Sequence, residues 1–282
     1  MSDSGLWRFQ YADLPLRGAL LQLGPEWAEL VAEQGYDATA SSWLGQSLLA
    51  VGLLSGLAKV APKLTLQVAD VDAMDLLVAQ TLRPGALRGM LKPRSLGEQP
   101  LVGQGRMVMT WELADQPQRP RQSIVPLVQA NLAAAMEDYF RDSEQLQTRF
   151  YLHADRHQAF GVVVQRIAGD DADVDDALSV FDRWDLRTLP AQPEQFLAVL
   201  LERDIQILDG PQQWMVRCHC DEASLSRIVL SLGADDARAL LAEQGHIQAE
   251  CGYCGKVYTF TPDYVESLFA AQAAEPQPPN TH

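Results

Sequence analysis

Four cysteines carry the chemistry this chain is best equipped for. Cys218 and Cys220 flank a histidine in Cys218-His219-Cys220, and Cys251 and Cys254 stand in Cys251-Gly252-Tyr253-Cys254, 30 residues further on. They are the only thiols among 282 residues, and all four fall in one C-terminal window. Two close pairs on separate segments can present four thiolates to one soft divalent cation, so the expected cofactor is one Zn2+ per reduced chain, held by Cys218, Cys220, Cys251 and Cys254. His219 is expected to point away from such a site, because the CxC turn faces it outward. No HExxH, GxxxxGK[ST], GxSxG or strand-borne GxGxxG stands elsewhere, so neither ATP dependence nor a hydrolytic centre is expected. Leu101-Val102-Gly103-Gln104-Gly105 reads as a turn before a strand.

The same thiols admit a redox role. If oxidation paired Cys218 with Cys220 and Cys251 with Cys254, each bond would close only a tiny loop, which chain-entropy arguments credit with little stabilisation. The metal cross-link between the two segments would be lost at the same time. Oxidation would then replace one long-range tie with two weak local ones. Two other readings stand beside this switch: a static zinc-stabilised interaction domain, and a thiol–disulfide oxidoreductase using Cys251 and Cys254. The last lacks a CxxC at a helix start within a thioredoxin-like βαβ pattern, so no enzyme activity is expected.

The elements around these cysteines divide the chain in four. Residues 1–168 read as a mixed α/β domain of the α+β class with an antiparallel sheet. Its strand-like runs are Leu64–Ala69, Arg106–Leu113, Arg149–His153 and Gly161–Ile167, the last two forming a hairpin. Helices are expected over Ser41–Lys59 and, after an Asn131 cap, over Leu132–Phe140. Gly45, Gly52 and Gly56 cost helix propensity in the first, which points to close packing there. Residues 169–213 open on an acidic run and continue as two amphipathic helical patterns, Leu178–Leu189 and Phe196–Leu208. They read as a metastable helical linker whose apolar positions, including Phe181, Trp184, Phe196 and Leu200, dock on another surface. Residues 214–271 form a small module: a helix capped by Asp221, a second over Asp235–Glu243, strands His246–Glu250 and Lys256–Phe260, and a last helix opened by Thr261-Pro262. So small a module needs a staple. The tail, 272–282, is polar and Pro-rich and reads as disordered.

Composition bounds the partners. A net charge of −15 and a pI of about 4.6 oppose binding to nucleic acid and to anionic membranes. The N-terminus has no secretory pattern, and Leu48–Val60 is too short to span a bilayer, so a cytoplasmic protein is expected. Clustered cysteines in a reducing cytoplasm point to metal or redox chemistry rather than to a disulfide scaffold.

The cysteine arrangement resembles that of the redox-regulated 33 kDa chaperonins, the heat shock protein 33 family. Ser226, Leu230, Leu232-Gly233, Gly245, Ile247 and Gly255 follow its pattern around the thiols. Arg17-Gly18, Leu64-Thr65-Leu66-Gln67, Leu87-Arg88-Gly89, Leu101–Gly105 and Glu137-Asp138-Tyr139-Phe140-x-x-Ser143-Glu144-Gln145-x-x-Thr148 resemble its N-terminal domain. Gln147 stands where the family commonly has proline, and Ala69-Asp70-Val71-Asp72 lacks the usual turn glycines. The resemblance implies an ATP-independent holdase, inactive while reduced and zinc-bound. Oxidation of the four cysteines to two disulfides then releases zinc, unfolds the linker and exposes a surface for unfolded client proteins. It also implies a monomer when reduced and a homodimer when oxidised.

Overall fold

A computed structural model describes residues 4–58, 63–71, 74–83, 85–93, 105–113, 118–127, 131–167, 178 and 205–274. The chain divides into two compact units, Met1–Arg217 and Cys218–His282.

The first unit is built around one helix. β1 (Gly5–Tyr11) and β2 (Leu16–Leu23) form a hairpin and lead through α1 (Pro25–Gln34) to α2 (Ala38–Leu57). Asp37 caps α2 by accepting from the Ala40 N–H at 2.7 Å. Fourteen of the twenty α2 residues are buried, because apolar side chains run all round it. A helix of that kind belongs inside a protein or inside a membrane. This one is long and apolar enough to cross a bilayer, but most of it is buried within the unit. β2, β8 (Thr148–Ala154) and β9 (Ala159–Arg166) pack on it from one sheet and β3 (Lys63–Val71), β4 (Met74–Arg83) and β5 (Ala86–Pro93) from another. The expected close packing at its glycines is present: a Cβ at Gly45 would lie 2.3 Å from the Ala154 Cβ, and one at Gly52 would lie 2.4 Å from Leu21 Cδ2.

The six-stranded sheet runs β11-β5-β4-β3-β6-β7, from β3 (Lys63–Val71), β4 (Met74–Arg83), β5 (Ala86–Pro93), β6 (Gly105–Glu112), β7 (Arg121–Leu127) and β11 (Met215–Val216). Its pairs are antiparallel except β11, which lies parallel to β5. α3 (Leu132–Tyr139), capped by the Asn131 side chain, and a π-helical turn (Phe140–Glu144) lead into β8 (Thr148–Ala154) and β9 (Ala159–Arg166), the expected hairpin. With β10 (Ile205–Gln213) these complete a five-stranded antiparallel sheet ordered β10-β1-β2-β9-β8. Both faces of that sheet are apolar. Leu6, Leu21 and Val163 join the core around α2, whereas Phe9, Leu16, Leu20, Val162 and Val164 form a separate cluster together with Leu178.

Mixed α/β with antiparallel sheets is therefore the observed class, with three departures from the sequence expectations. Ile205–Gln213, expected inside a helical linker, is a strand, because pairing with β1 across the chain outweighs the local pattern. Trp214, expected to open the C-terminal module, is 2% exposed in the core of the first unit, and the second unit starts at Cys218. Gln272–Ala274, expected in the tail, still belong to the last helix. The positions expected to dock at Phe181, Trp184, Phe196 and Leu200 lie outside the described residues, as does Leu101–Gln104.

In the second unit, α4 (Glu222–Leu232) is capped by Asp221, whose side chain accepts from the Ser224 N–H at 2.7 Å. α5 (Ala234–Gln244) stops at Gly245 in the left-handed region, at φ 75°. β12 (Ile247–Glu250) and β13 (Val257–Phe260) pair around the turn that carries Cys251 and Cys254, and α6 (Pro262–Ala274) closes the chain. Their core is small beside that of the first unit: Leu225, Val229, Ile247, Phe260 and Val265 are buried with Ala237, Ala249 and Cys251, and partly buried side chains such as Leu240, Tyr258 and Phe269 pack on them.

Candidate metal centre

Cys218 and Cys220 stand on the extended segment before Asp221, and Cys251 and Cys254 on the turn between β12 and β13. Local hydrogen bonds shape that turn. Cys251 N–H donates to the Lys256 carbonyl and Gly255 N–H to the Cys251 carbonyl, each at 2.9 Å, with Gly255 at φ 71°. The four sulfurs converge: every pair lies within 4.8 Å, with Cys218–Cys251 at 3.6 Å and Cys220–Cys254 at 3.4 Å. A tetrahedral ion with ~2.3 Å bonds to sulfur sets its ligands ~3.8 Å apart, so the donor set fits one such ion. His219 is not part of the cluster.

Backbone donors and burial act against each other at these sulfurs. Cys251 and Cys254 accept backbone N–H groups, from Tyr253 and Cys254 and from Lys256 respectively, and Cys218 accepts one from Cys220. Burial pushes the Cys251 thiol up, but the Tyr253 and Cys254 N–H groups and the neighbouring thiols outweigh it, leaving Cys251 at about 7. Burial dominates at Cys218 and Cys254, whose thiols are pushed up. Cys251 thus ionises ahead of Cys218 and Cys254. A soft divalent cation would favour the thiolate at all four.

One contributor was invisible in the spacing. The Tyr258 hydroxyl, on β13, lies 2.9 Å from the Cys220 carbonyl and 3.4 Å from the Cys220 sulfur. Its hydrogen bond to Cys220 pushes the Tyr258 hydroxyl above its ordinary value. Only the antiparallel register Ala249↔Tyr258 puts that hydroxyl beside the first cysteine pair, and the sequence carries no sign of it.

Matched against family models, residues 4–261 fit the one described as Hsp33 protein. A 33 kDa chaperonin of Nitrosococcus oceani is 32% identical over 289 aligned residues, covering 98% of this chain and 98% of that one. A 33 kDa chaperonin of Vibrio cholerae is 28% identical, covering 97% and 98%. Among solved structures, the crystal structure of a 33 kDa chaperonin (heat shock protein 33 homolog) from Thermotoga maritima superposes with a TM-score of 0.76 at 19% identity, covering 96% of this chain and 99% of that one.

Proposed function

The chain belongs to the Hsp33 family, and from that premise we propose that it is a redox-regulated, ATP-independent holdase chaperone. Cys218, Cys220, Cys251 and Cys254 hold one zinc ion in the reduced, inactive form. The observation that carries this reading is the meeting of all four sulfurs within 4.8 Å in a unit whose own core is small. Zinc, when bound, supplies a cross-link between two chain segments, and structural sites of this type contribute on the order of 10 kcal/mol to folding.

Activation follows from loss of that donor set. Two molecules of hydrogen peroxide oxidise four thiols to two disulfides and are reduced to four waters. Pairing Cys218 with Cys220 and Cys251 with Cys254 leaves no covalent tie between the two segments, and the second unit loses its staple. Unfolding of this unit, with undocking of the segment that bears Phe181, Trp184, Phe196 and Leu200, exposes the surface that holds unfolded client proteins. Leu178 supports the docked resting state. It is the one described residue between 168 and 204, and it is 2% exposed among side chains of the five-stranded sheet. The protein works in the cytoplasm, as a monomer when reduced and a homodimer when oxidised, without nucleic acid or membrane as partner.

Catalytic dithiol exchange is less well supported. Cys251 and Cys254 sit in a turn between strands rather than at a helix N-terminus, where the dipole would activate an attacking thiolate. The deciding experiment measures zinc content, free thiols and suppression of a heat-unfolding client's aggregation, before and after peroxide at elevated temperature. Release of one zinc in step with the gain of holdase activity is the expected result. Zinc retained under peroxide would favour a static structural site, and turnover of a small disulfide substrate would favour the oxidoreductase.

A further inference from the structure

Several motif residues that the metal centre leaves without a role meet around one cavity of about 210 Å3 in the first unit. Arg17 comes from β2, Tyr139 from the end of α3, and Phe140 and Glu144 from the π-helical turn. The C-terminal end of α2 supplies Leu54 and Leu57 as apolar wall, and β6 adds the ring of Trp111. Most of the polar groups in this wall satisfy one another. The Tyr139 hydroxyl donates to Glu144 Oε1 at 2.7 Å, so Ser123, 3.1 Å away, donates to Tyr139. Arg121 faces the same Glu144 oxygen at 4.0 Å.

Arg17 is the exception. Its Nη2 donates to Gln165 Oε1 at 2.8 Å, and its Nε is buried with no hydrogen-bond partner. No carboxylate pairs with it among the described residues. The amide that holds it is itself fixed: Gln165 is 4% exposed, and its Nε2 donates to Thr148 Oγ1 at 3.3 Å. A guanidinium held by a buried, neutral amide beside an apolar wall carries a full positive charge and lacks a counter-charge. The one carboxylate in the same wall, Glu144, is taken up by the Tyr139 hydroxyl and faces Arg121.

We propose that this cavity binds a small carboxylate with an apolar body. The carboxylate pairs with Arg17 and the hydrocarbon lies along Leu54, Leu57 and Trp111. A cavity of about 210 Å3 suits a molecule the size of octanoate or 3-phenylpropionate. Such a group comes from a free organic acid or from the C-terminus of a peptide ending in a leucine. The site lies in the first unit and stands apart from the redox reading, so reduced, full-length protein is the material to test.

Calorimetric titration with octanoate, octanamide and octylamine separates charge from apolar fit without altering the protein. Octanoate is expected to bind at least ten-fold more tightly than octanamide, and octylamine not measurably. A pentapeptide ending in leucine, with its C-terminus free or amidated, asks whether a chain end can be the source, and a preference for the free form supports the same site. Arg17→Gln should abolish the difference between octanoate and octanamide. Because that change also disturbs Gln165, Leu57→Trp, which fills the cavity and spares Arg17, should weaken octanoate by ten-fold or more. Equal binding of acid and amide to the wild-type protein, or no binding of either octanoate or the free peptide at millimolar concentration, overturns the proposal.

Discussion

The Tyr258 hydroxyl sits between two atoms of Cys220, 2.9 Å from its carbonyl oxygen and 3.4 Å from its sulfur. A ligand held this way loses an orienting partner when the hydroxyl is removed, and partners of that kind are typically worth 10–100-fold in metal affinity. Tyr258→Phe is therefore expected to speed zinc transfer to a competing chelator by about ten-fold, with the fold of the reduced protein unchanged by circular dichroism. Transfer as slow as in the wild type would show that the hydroxyl serves the backbone alone.

Oxidation should separate the two units thermodynamically. The first has a core running from Leu6 through α2 to Trp214, whereas the second relies on a handful of side chains and the sulfur cluster. After peroxide treatment, amide exchange is expected to rise across 218–274 and to change little in β2 and β9. Cys251→Ser or Cys254→Ser should produce part of the same rise without oxidant. Persistent protection of α4 and β12 after all four thiols are oxidised would falsify the switch.

Leu178 offers a test of the docked segment at a position whose surroundings are described. It is 2% exposed beside the cluster of Phe9, Leu16 and Val162. Leu178→Ala removes a buried side chain at a typical cost of about 2–5 kcal/mol. That is enough to loosen a marginal contact. The expected phenotype is partial holdase activity in fully reduced protein, and Phe181→Ala or Trp184→Ala should act in the same direction. Variants as silent as the wild type until oxidised would mean that docking does not restrain activity.

The attachment of β10 to β1 carries a pH signature. Arg8 Nε donates to Asp209 Oδ1 at 2.9 Å, and this hydrogen bond, against a smaller desolvation cost, holds the Asp209 carboxyl below its usual value. A carboxylate whose pKa falls on folding stabilises the fold above its unfolded pKa, ~3.9, and loses that contribution as pH falls through the folded value. Both side chains are about one-third exposed, at 36% and 34%, so the pair is worth no more than about 1 kcal/mol. Protection factors in Ile205–Gln213, with the intrinsic slowing of exchange in acid divided out, are expected to fall below that pH window in the wild type. Asp209→Asn should show the lower protection at neutral pH and no further acid step. Identical acid profiles for the two proteins would remove this ion pair from the account.

The cysteine centre was readable in advance because thiols are rare in this chain and their spacing is chemically restrictive. The caps were readable too: Asp221, Asn131 and Gly245 act through contacts only a few residues away. Strands buried on both faces were not. β2 reads Leu-Arg-Gly-Ala-Leu-Leu-Gln-Leu, without the alternation that marks a half-exposed strand, because both of its faces meet apolar clusters. Ile205–Gln213 was misread for a different reason. Its state is set by a partner strand at the opposite end of the chain, which a local pattern cannot register. Trp214 was assigned to the cysteine module by proximity in sequence, whereas its ring belongs to the core around α2.

The return of β10 to the sheet that β9 has just left gives the intervening segment fixed ends on both sides, at Arg166 and Ile205. The chain thus leaves and re-enters the first unit at described strands. A chain held at both ends by one sheet is kept at high effective concentration near that sheet. Rebinding is then intramolecular and independent of protein concentration. On the proposed holdase reading, a client on that surface would compete with the protein's own chain, and re-reduction of the thiols would let that chain displace it without an external energy source.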